Sequence, residues 1–261
     1  MIETEIISQY MQLADVHGCH IRSIYLSGSY PNGYFLHGIS DLDILILTEE
    51  RCDEFMRAAV FPRSLPDGTE LDVCVIDIPH IAENPYSNDV RESLLSSKLC
   101  GKLIYGDDYV ADWEMPDIGA YTRSTIGMTE EFIRRARNYK CSLPDISYPD
   151  ENERYYGYIT LRDGKPSTKL LLSLYMWIAT AQLGILKSIR CGCKFECIQY
   201  SAQFLSADFS AVVKDVYEHC RNKWGYGVPE SEDEQNILKD YCRQLLGYEK
   251  DFLKICDEYY R

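Results

Sequence analysis

The sequence shows no signal-peptide pattern and no long unbroken hydrophobic run. Apolar stretches such as Ile44–Leu47 are short, far below the roughly 20 residues with which a helix crosses a bilayer. The N-terminus, Met1-Ile-Glu-Thr-Glu, lacks the basic and apolar regions of a secretory signal. We therefore expect a cytoplasmic protein that spans no membrane.

Basic residues are scarce in the first half of the chain. Residues 1–112 contain 19 acidic and 7 basic residues, a net charge of −12, within a total of −14. Such a surface repels phosphate backbones, which disfavours binding to nucleic acid, and it attracts metal ions or a polycationic substrate. An acidic surface that only keeps the protein soluble would explain the same charge.

Paired cysteine motifs are also lacking, although the chain has 11 cysteines. The one cluster is Cys191, Cys193 and Cys197; it has no C-x-x-C pair and no histidine beside it, unlike zinc sites. An odd number of scattered cysteines without an export signal indicates reduced thiols, mostly buried.

The hydrophobic pattern changes near residue 112. Before it, β-rich runs alternate with helical periods, and after it the pattern is helical throughout. The sequence therefore predicts an α+β fold, with a mixed sheet and helices over 1–112 and an all-helical domain over 113–261. The predicted strands are Arg22–Leu26, Leu42–Leu47 and Leu71–Ile78, and the predicted helices are 2–17, 51–60, 86–100, 119–140, 166–186, 194–204, 208–223 and 231–256. Helix 166–186, with Pro166 in its first turn, is apolar nearly all round, as a buried central helix would be.

Two segments of the first half carry polar residues suited to phosphate chemistry. Gly28-Ser29 ends a predicted strand and would open a helix, where backbone N–H groups and a hydroxyl could approach a phosphate. Asp41 and Asp43 are two residues apart at the start of the next strand, so their carboxylates share one face. Such a pair favours a cation between them, as in a magnesium site. Asp72 is embedded in the third, otherwise apolar strand.

The order of Gly28-Ser29, Gly33, Asp41, Asp43 and Asp72 resembles the polymerase-β-like nucleotidyltransferase superfamily. The second half, with Leu170–Trp177, Gly184 and Lys187 in that order, is similar to the aminoglycoside nucleotidyltransferases, especially the streptomycin/spectinomycin 3″-adenylyltransferases.

This resemblance implies transfer of a nucleoside monophosphate, AMP from ATP as co-substrate, to a hydroxyl of a small, cationic, aminoglycoside-like acceptor. It further implies a mixed sheet with helices on one face and two Mg²⁺ ions. Asp41, Asp43 and Asp72 would be the catalytic and metal-binding residues, with Asp72 sharing a metal or accepting the hydroxyl proton. Gly28, Ser29 and Lys187 would bind the nucleotide. A macromolecular acceptor, protein or tRNA, remains the alternative, and a monomer and a dimer are both compatible with the sequence.

Overall fold

A computed structural model describes residues 2–61, 63–65, 68–84, 87–136, 155–162 and 164–261. The chain forms two compact units. Unit 1 comprises Met1–Pro116 together with Cys191–Cys193, and unit 2 comprises Asp117–Arg190 and Lys194–Arg261. Cys141 and the predicted helical residues 137–140 lie outside the described residues.

Unit 1 is built on a five-stranded mixed sheet with the strand order β3-β4-β2-β1-β5. Strands β2 and β4 are parallel, and the other neighbouring pairs are antiparallel. The three predicted strands are confirmed, whereas the short β3 and the edge strand β5 were not predicted. The strands are β1 (Ile21–Ser27), β2 (Leu42–Thr48), β3 (Arg63–Ser64), β4 (Glu70–Asp77) and β5 (Lys102–Gly106).

Both faces of this sheet are covered, so the expectation of helices on one face was wrong. Successive side chains of a strand point to opposite faces. Leu26 of β1 accordingly joins one core with Ile6 of the first helix, and Tyr25 joins a second core with Leu94 of the fourth. Apolar residues therefore occupy both faces of the central strands. The helices of this unit are α1 (Ile2–His17), α2 (Asp53–Ala59), α3 (Ile78–Glu83), α4 (Asn88–Cys100) and α5 (Tyr109–Asp112).

Within its described residues, unit 2 is helical with one short hairpin that the sequence did not predict. Strands β6 (Thr160–Arg162) and β7 (Lys165–Ser167) pair with each other, and Gly164 turns between them with a φ of +75°. Pro166 therefore lies in a two-stranded ribbon, where the missing N–H of proline is tolerated, and the predicted helix 166–186 begins later. The helices are α6 (Ile118–Ala136), α7 (Lys169–Lys187), α8 (Lys194–Phe204), α9 (Ala207–Tyr217), which continues into a π-helix (Glu218–Lys223), and α10 (Glu232–Tyr260).

Helix α7 is the buried centre of unit 2, as predicted. Leu171, Tyr175 and Ile178 are fully buried. A β-carbon at Gly184 would lie 2.9 Å from Thr122 Oγ1 on α6, so glycine lets these two helices pack closely. By length and composition alone α7 is long and apolar enough to cross a membrane, although the short apolar runs of the sequence predicted no such helix. However, 67% of its most apolar window is buried inside the protein. Core packing thus accounts for its composition.

Candidate active site

Two of the three predicted carboxylates, Asp43 and Asp72, lie on neighbouring strands near the same end of the unit 1 sheet. Asp43 is paired with Ser27, the last residue of β1, on one side. On its other side Asp43 is paired with Asp72 of β4. Since neighbouring strands are roughly 4.8 Å apart, the end of β1 and the starts of β2 and β4 lie side by side.

Asp43 and Asp72 also share a face of the sheet. Leu42 and Ile44, the neighbours of Asp43, belong to the core on the α1 side. Alternation therefore directs Asp43 to the opposite side, the side of α4. Asp72 stands opposite Asp43 in register and points the same way, as does Glu70 two residues before it. Asp43 is half-buried and Asp72 is exposed, so an incoming ligand can reach this edge.

Gly28 packs directly against Asp43. Its φ is +66°, in the left-handed region that favours glycine. A β-carbon at this position would lie 2.9 Å from Asp43 Cγ and closer still to Asp43 Oδ2. Residue 28 must therefore be glycine both for its backbone conformation and for the space that the carboxylate occupies.

The segment after Gly28 is a series of turns, so the predicted strand–helix junction at Gly28-Ser29 was wrong. The backbone N–H of Gly33 donates to Tyr30 O at 3.2 Å, and that of Tyr34 donates to Ser29 O at 3.0 Å. Gly33 has a φ of +74°. Proline followed by asparagine and glycine favours turns rather than a helix, which explains the difference.

A second loop contact fixes the approach to Asp41. Ser40 is buried, and its Oγ accepts a hydrogen bond from the Leu36 N–H at 3.1 Å. The Ser40 N–H in turn donates to Leu36 O at 2.8 Å. These two bonds close the loop immediately before Asp41, which places that carboxylate at the entrance of β2.

Sequence reasoning assigned no chemical role to Asn32, yet this residue ties the turn to the rest of unit 1. Its Nδ2 donates to Gly28 O at 2.8 Å and to Cys100 O, at the end of α4, at 3.1 Å. The Pro-Asn-Gly sequence was the one signal for it, because asparagine side chains in turns commonly bond to nearby backbone groups.

The donor set fits magnesium. Carboxylate oxygens are the hard ligands that Mg²⁺ prefers; Asp43 and Asp72 supply two of them on adjacent strands, and Asp41 comes immediately before β2. Within the described residues, these three do not form a group whose ligand atoms all lie within 4.8 Å of one another.

Lys187, predicted to bind nucleotide, is the last residue of α7 in unit 2 and is exposed. A lysine at this position also interacts favourably with the negative end of the helix dipole. Its assignment to the nucleotide stays a prediction.

Comparison with solved structures identifies the fold. The chain is similar to spectinomycin adenyltransferase AAD(9) from Enterococcus faecialis, whose structure contains ATP and spectinomycin. The two are 13% identical with a TM-score of 0.55, over 95% of this chain and 98% of that chain. It also matches a nucleotidyltransferase-like protein from Exiguobacterium sibiricum, 11% identical with a TM-score of 0.38, over 100% of this chain and 78% of that chain.

No family model and no curated protein matches the sequence. The likeness to the adenyltransferase shows that the chain has a nucleotidyltransferase fold, which confirms the α+β class that the sequence predicted.

Proposed function

We propose that the protein transfers a nucleoside monophosphate, AMP from ATP, to a hydroxyl of a cationic, aminoglycoside-like small molecule. One observation carries this proposal. Asp43 lies between Asp72 and the Gly28 turn on neighbouring strands. In this proposal, the backbone of the Gly28 turn binds the phosphates and the neighbouring carboxylates bind metal, so the two groups that nucleotidyl transfer requires are adjacent at an accessible end of the sheet.

In the proposed reaction, the acceptor oxygen forms a bond to the α-phosphorus while the bond from that phosphorus to the pyrophosphate oxygen breaks. Asp72 takes the hydroxyl proton. A general base must be within hydrogen-bond reach of the hydroxyl, and Asp72 is exposed and stands next to Asp43 in register. Gly28 and Ser29 bind the phosphates through the backbone of their turn. Catalysis then depends mainly on positioning and charge neutralisation.

Magnesium is the cofactor in this proposal. Asp41, Asp43 and Asp72 would hold two Mg²⁺ ions, which neutralise the triphosphate and the leaving pyrophosphate and make the acceptor hydroxyl more acidic.

The charge of the first half supports a cationic acceptor. Residues 1–112 carry −12, and two divalent ions would offset only about four of these charges. Glu70 lies on the same face as Asp72, two residues earlier on β4, and is exposed. We assign it to the ammonium groups of the acceptor. The proposed site of action is the cytoplasm, a reducing compartment, in keeping with cysteines that form no disulfide within the described residues.

A pyrophosphate-release screen tests the proposal. The purified protein is incubated with Mg²⁺, one of ATP, GTP, CTP or UTP, and one of a panel of aminoglycosides and lincosamides, with Asp43→Asn as the blank. We expect release with ATP and at least one aminoglycoside, together with a product heavier by one AMP. Release that requires an added protein or tRNA would move the acceptor to the macromolecular class. No release with any acceptor would contradict the proposed function.

A further inference from the structure

The carbonyl groups of the turn after β1 are held by hydrogen bonds within unit 1. Three consecutive carbonyls accept hydrogen bonds from within unit 1: Gly28 O from Asn32 Nδ2, Ser29 O from the Tyr34 N–H, and Tyr30 O from the Gly33 N–H. Because a trans peptide is planar, its N–H points opposite to its carbonyl. The N–H groups of Ser29 and Tyr30 therefore point away from the bonded carbonyls, as in the backbone concavities that bind anions.

Asn32 holds the first of these peptides. Its two partners, Gly28 O and Cys100 O, are both carbonyl oxygens, so only the amide nitrogen, which has two hydrogens, can serve both. Cys100 is the last residue of α4, where helix carbonyls lack a partner within the helix. One side chain thus fixes the Gly28–Ser29 peptide against a rigid element of the same unit.

We propose that Asn32 is a positioning residue for the nucleotide: by holding the Gly28 carbonyl, it directs the Ser29 N–H at the triphosphate, beside the Tyr30 N–H, whose peptide is held through Ser29 O by the Tyr34 N–H. This inference rests on the proposed function, since it needs a phosphate ligand at the turn. Pro31 follows Tyr30 and has no N–H, so the turn offers the phosphate two consecutive backbone donors. The side chain of Asn32 acts on the ligand only through the peptide that it holds.

Two substitutions separate this role from a general effect on folding. Asn32→Ala removes both hydrogen bonds. Asn32→Asp keeps the shape of the side chain but places carboxylate oxygens against two carbonyl oxygens and adds a negative charge near the phosphate site. Asn84→Ala is the matched control in the same unit: Asn84 is also exposed, and its Nδ2 makes a local contact with His80 Nδ1 at 3.2 Å.

For each variant we measure the Kd of a non-hydrolysable ATP analogue by calorimetry in the presence of Mg²⁺. Thermal unfolding and the KM values for ATP and for the acceptor are measured on the same variants. We expect Kd for the analogue to rise about tenfold in Asn32→Ala, from the loss of two hydrogen bonds, and further in Asn32→Asp. Asn84→Ala should bind like the wild type. The KM for ATP should rise with Kd while the KM for the acceptor stays unchanged, a separation that a merely structural role would not produce.

The outcomes distinguish this inference from the proposed function. If the wild type binds the analogue and both Asn32 variants bind it equally well, the positioning role is wrong and the proposed function stands. If the wild type does not bind the analogue, both are overturned. If both variants are unfolded at the assay temperature, or if the KM values for ATP and the acceptor rise together, Asn32 supports the fold and not the nucleotide, and the inference is again overturned.

Discussion

The α-carbon of Gly28 and the carboxylate of Asp43 occupy adjoining space: a β-carbon on residue 28 would lie 2.9 Å from Asp43 Cγ. Gly28→Ala should therefore displace the carboxylate as well as strain the backbone, whose φ is +66°. We expect an unfolding free energy lower by at least about 1–2 kcal/mol, the cost of a left-handed alanine, and the loss of most nucleotide binding. Chemical denaturation and calorimetry with an ATP analogue measure the two effects.

Gly33→Ala is the matched control for this substitution. Gly33 also has a positive φ, +74°, but a β-carbon there would meet nothing within 4 Å. The Gly33→Ala variant should lose about the same 1–2 kcal/mol of unfolding free energy to backbone strain. It should bind nucleotide much more tightly than the Gly28→Ala variant. Equal losses of binding in the two variants would show that the contact between Gly28 and Asp43 is unimportant.

The carboxylates should be needed for binding and turnover but not for folding. Asp43→Asn and Asp41→Asn should each lower the turnover number by at least about 100-fold, the scale on which removal of one charge-stabilising group acts. They should also abolish Mg²⁺-dependent nucleotide binding. Less repulsion between neighbouring carboxylates should leave the unfolding temperature unchanged or slightly higher.

Asp15→Asn is the control for the carboxylates, since Asp15 is an exposed aspartate on α1 in the same unit. Pyrophosphate release and thermal unfolding are measured for all three variants. Near wild-type turnover in either Asp41→Asn or Asp43→Asn would rule out the two-metal mechanism.

The sheet and most helices could be predicted because their residues follow regular periods. The central strands β2 and β4 are rich in Leu, Ile and Val, and their charged residues lie at or near the strand ends. Strand β5 has no such pattern: Leu103, Ile104 and Tyr105 are only half-buried, and the strand is defined by its pairing with β1.

The local geometry of the site was harder to predict than its residues. Asp41, Asp43 and Asp72 could be singled out because aspartates are unusual at the starts of apolar strands. The Gly28–Gly33 turn was mistaken for the start of a helix, because glycine followed by serine is compatible with both structures. The Pro-Asn-Gly sequence that follows favours the turn, and two side-chain hydrogen bonds from Asn32 hold it in place, one of them to Cys100 O, 68 residues away. Such long-range contacts leave no periodic signal.

The core of unit 2 contains a buried carboxylate, which provides a test of the fold apart from function. Tyr158 Oη donates to Glu249 Oε1 at 2.7 Å, and both residues are fully buried. Tyr158→Phe removes this donor and leaves the carboxylate with one hydrogen bond fewer, so we expect a loss of about 1–3 kcal/mol in unfolding free energy. Tyr260→Phe, at an exposed tyrosine, should have no effect. Equal stability of the two variants in urea would contradict this assignment.

The thiols should differ in reactivity according to burial. Burial raises the pKa of the Cys220 thiol to about 12 and also raises that of Cys242. Because the thiolate is the nucleophile, both should resist iodoacetamide in the native protein at pH 8. Among the described cysteines, the half-buried Cys52, Cys74, Cys191 and Cys193 should react before them. Time-resolved alkylation with peptide mass spectrometry gives the order, and early labelling of Cys220 would show that the core of unit 2 opens readily.

The acceptor should be recognised by charge. Exposed carboxylates attract a cationic ligand over distances that shrink as salt is added, with a Debye length of about 8 Å at physiological ionic strength. The KM for an aminoglycoside acceptor should therefore rise with ionic strength. Glu70→Gln should raise the same KM about two- to fivefold, as expected for one exposed ion pair, without changing the Kd of an ATP analogue. Glu83→Gln, at an exposed glutamate at the end of α3, is the control. Steady-state kinetics at low and high salt measure these KM values. An acceptor KM that does not depend on salt would mean that the acidic first half serves solubility, and it would favour a neutral or macromolecular acceptor.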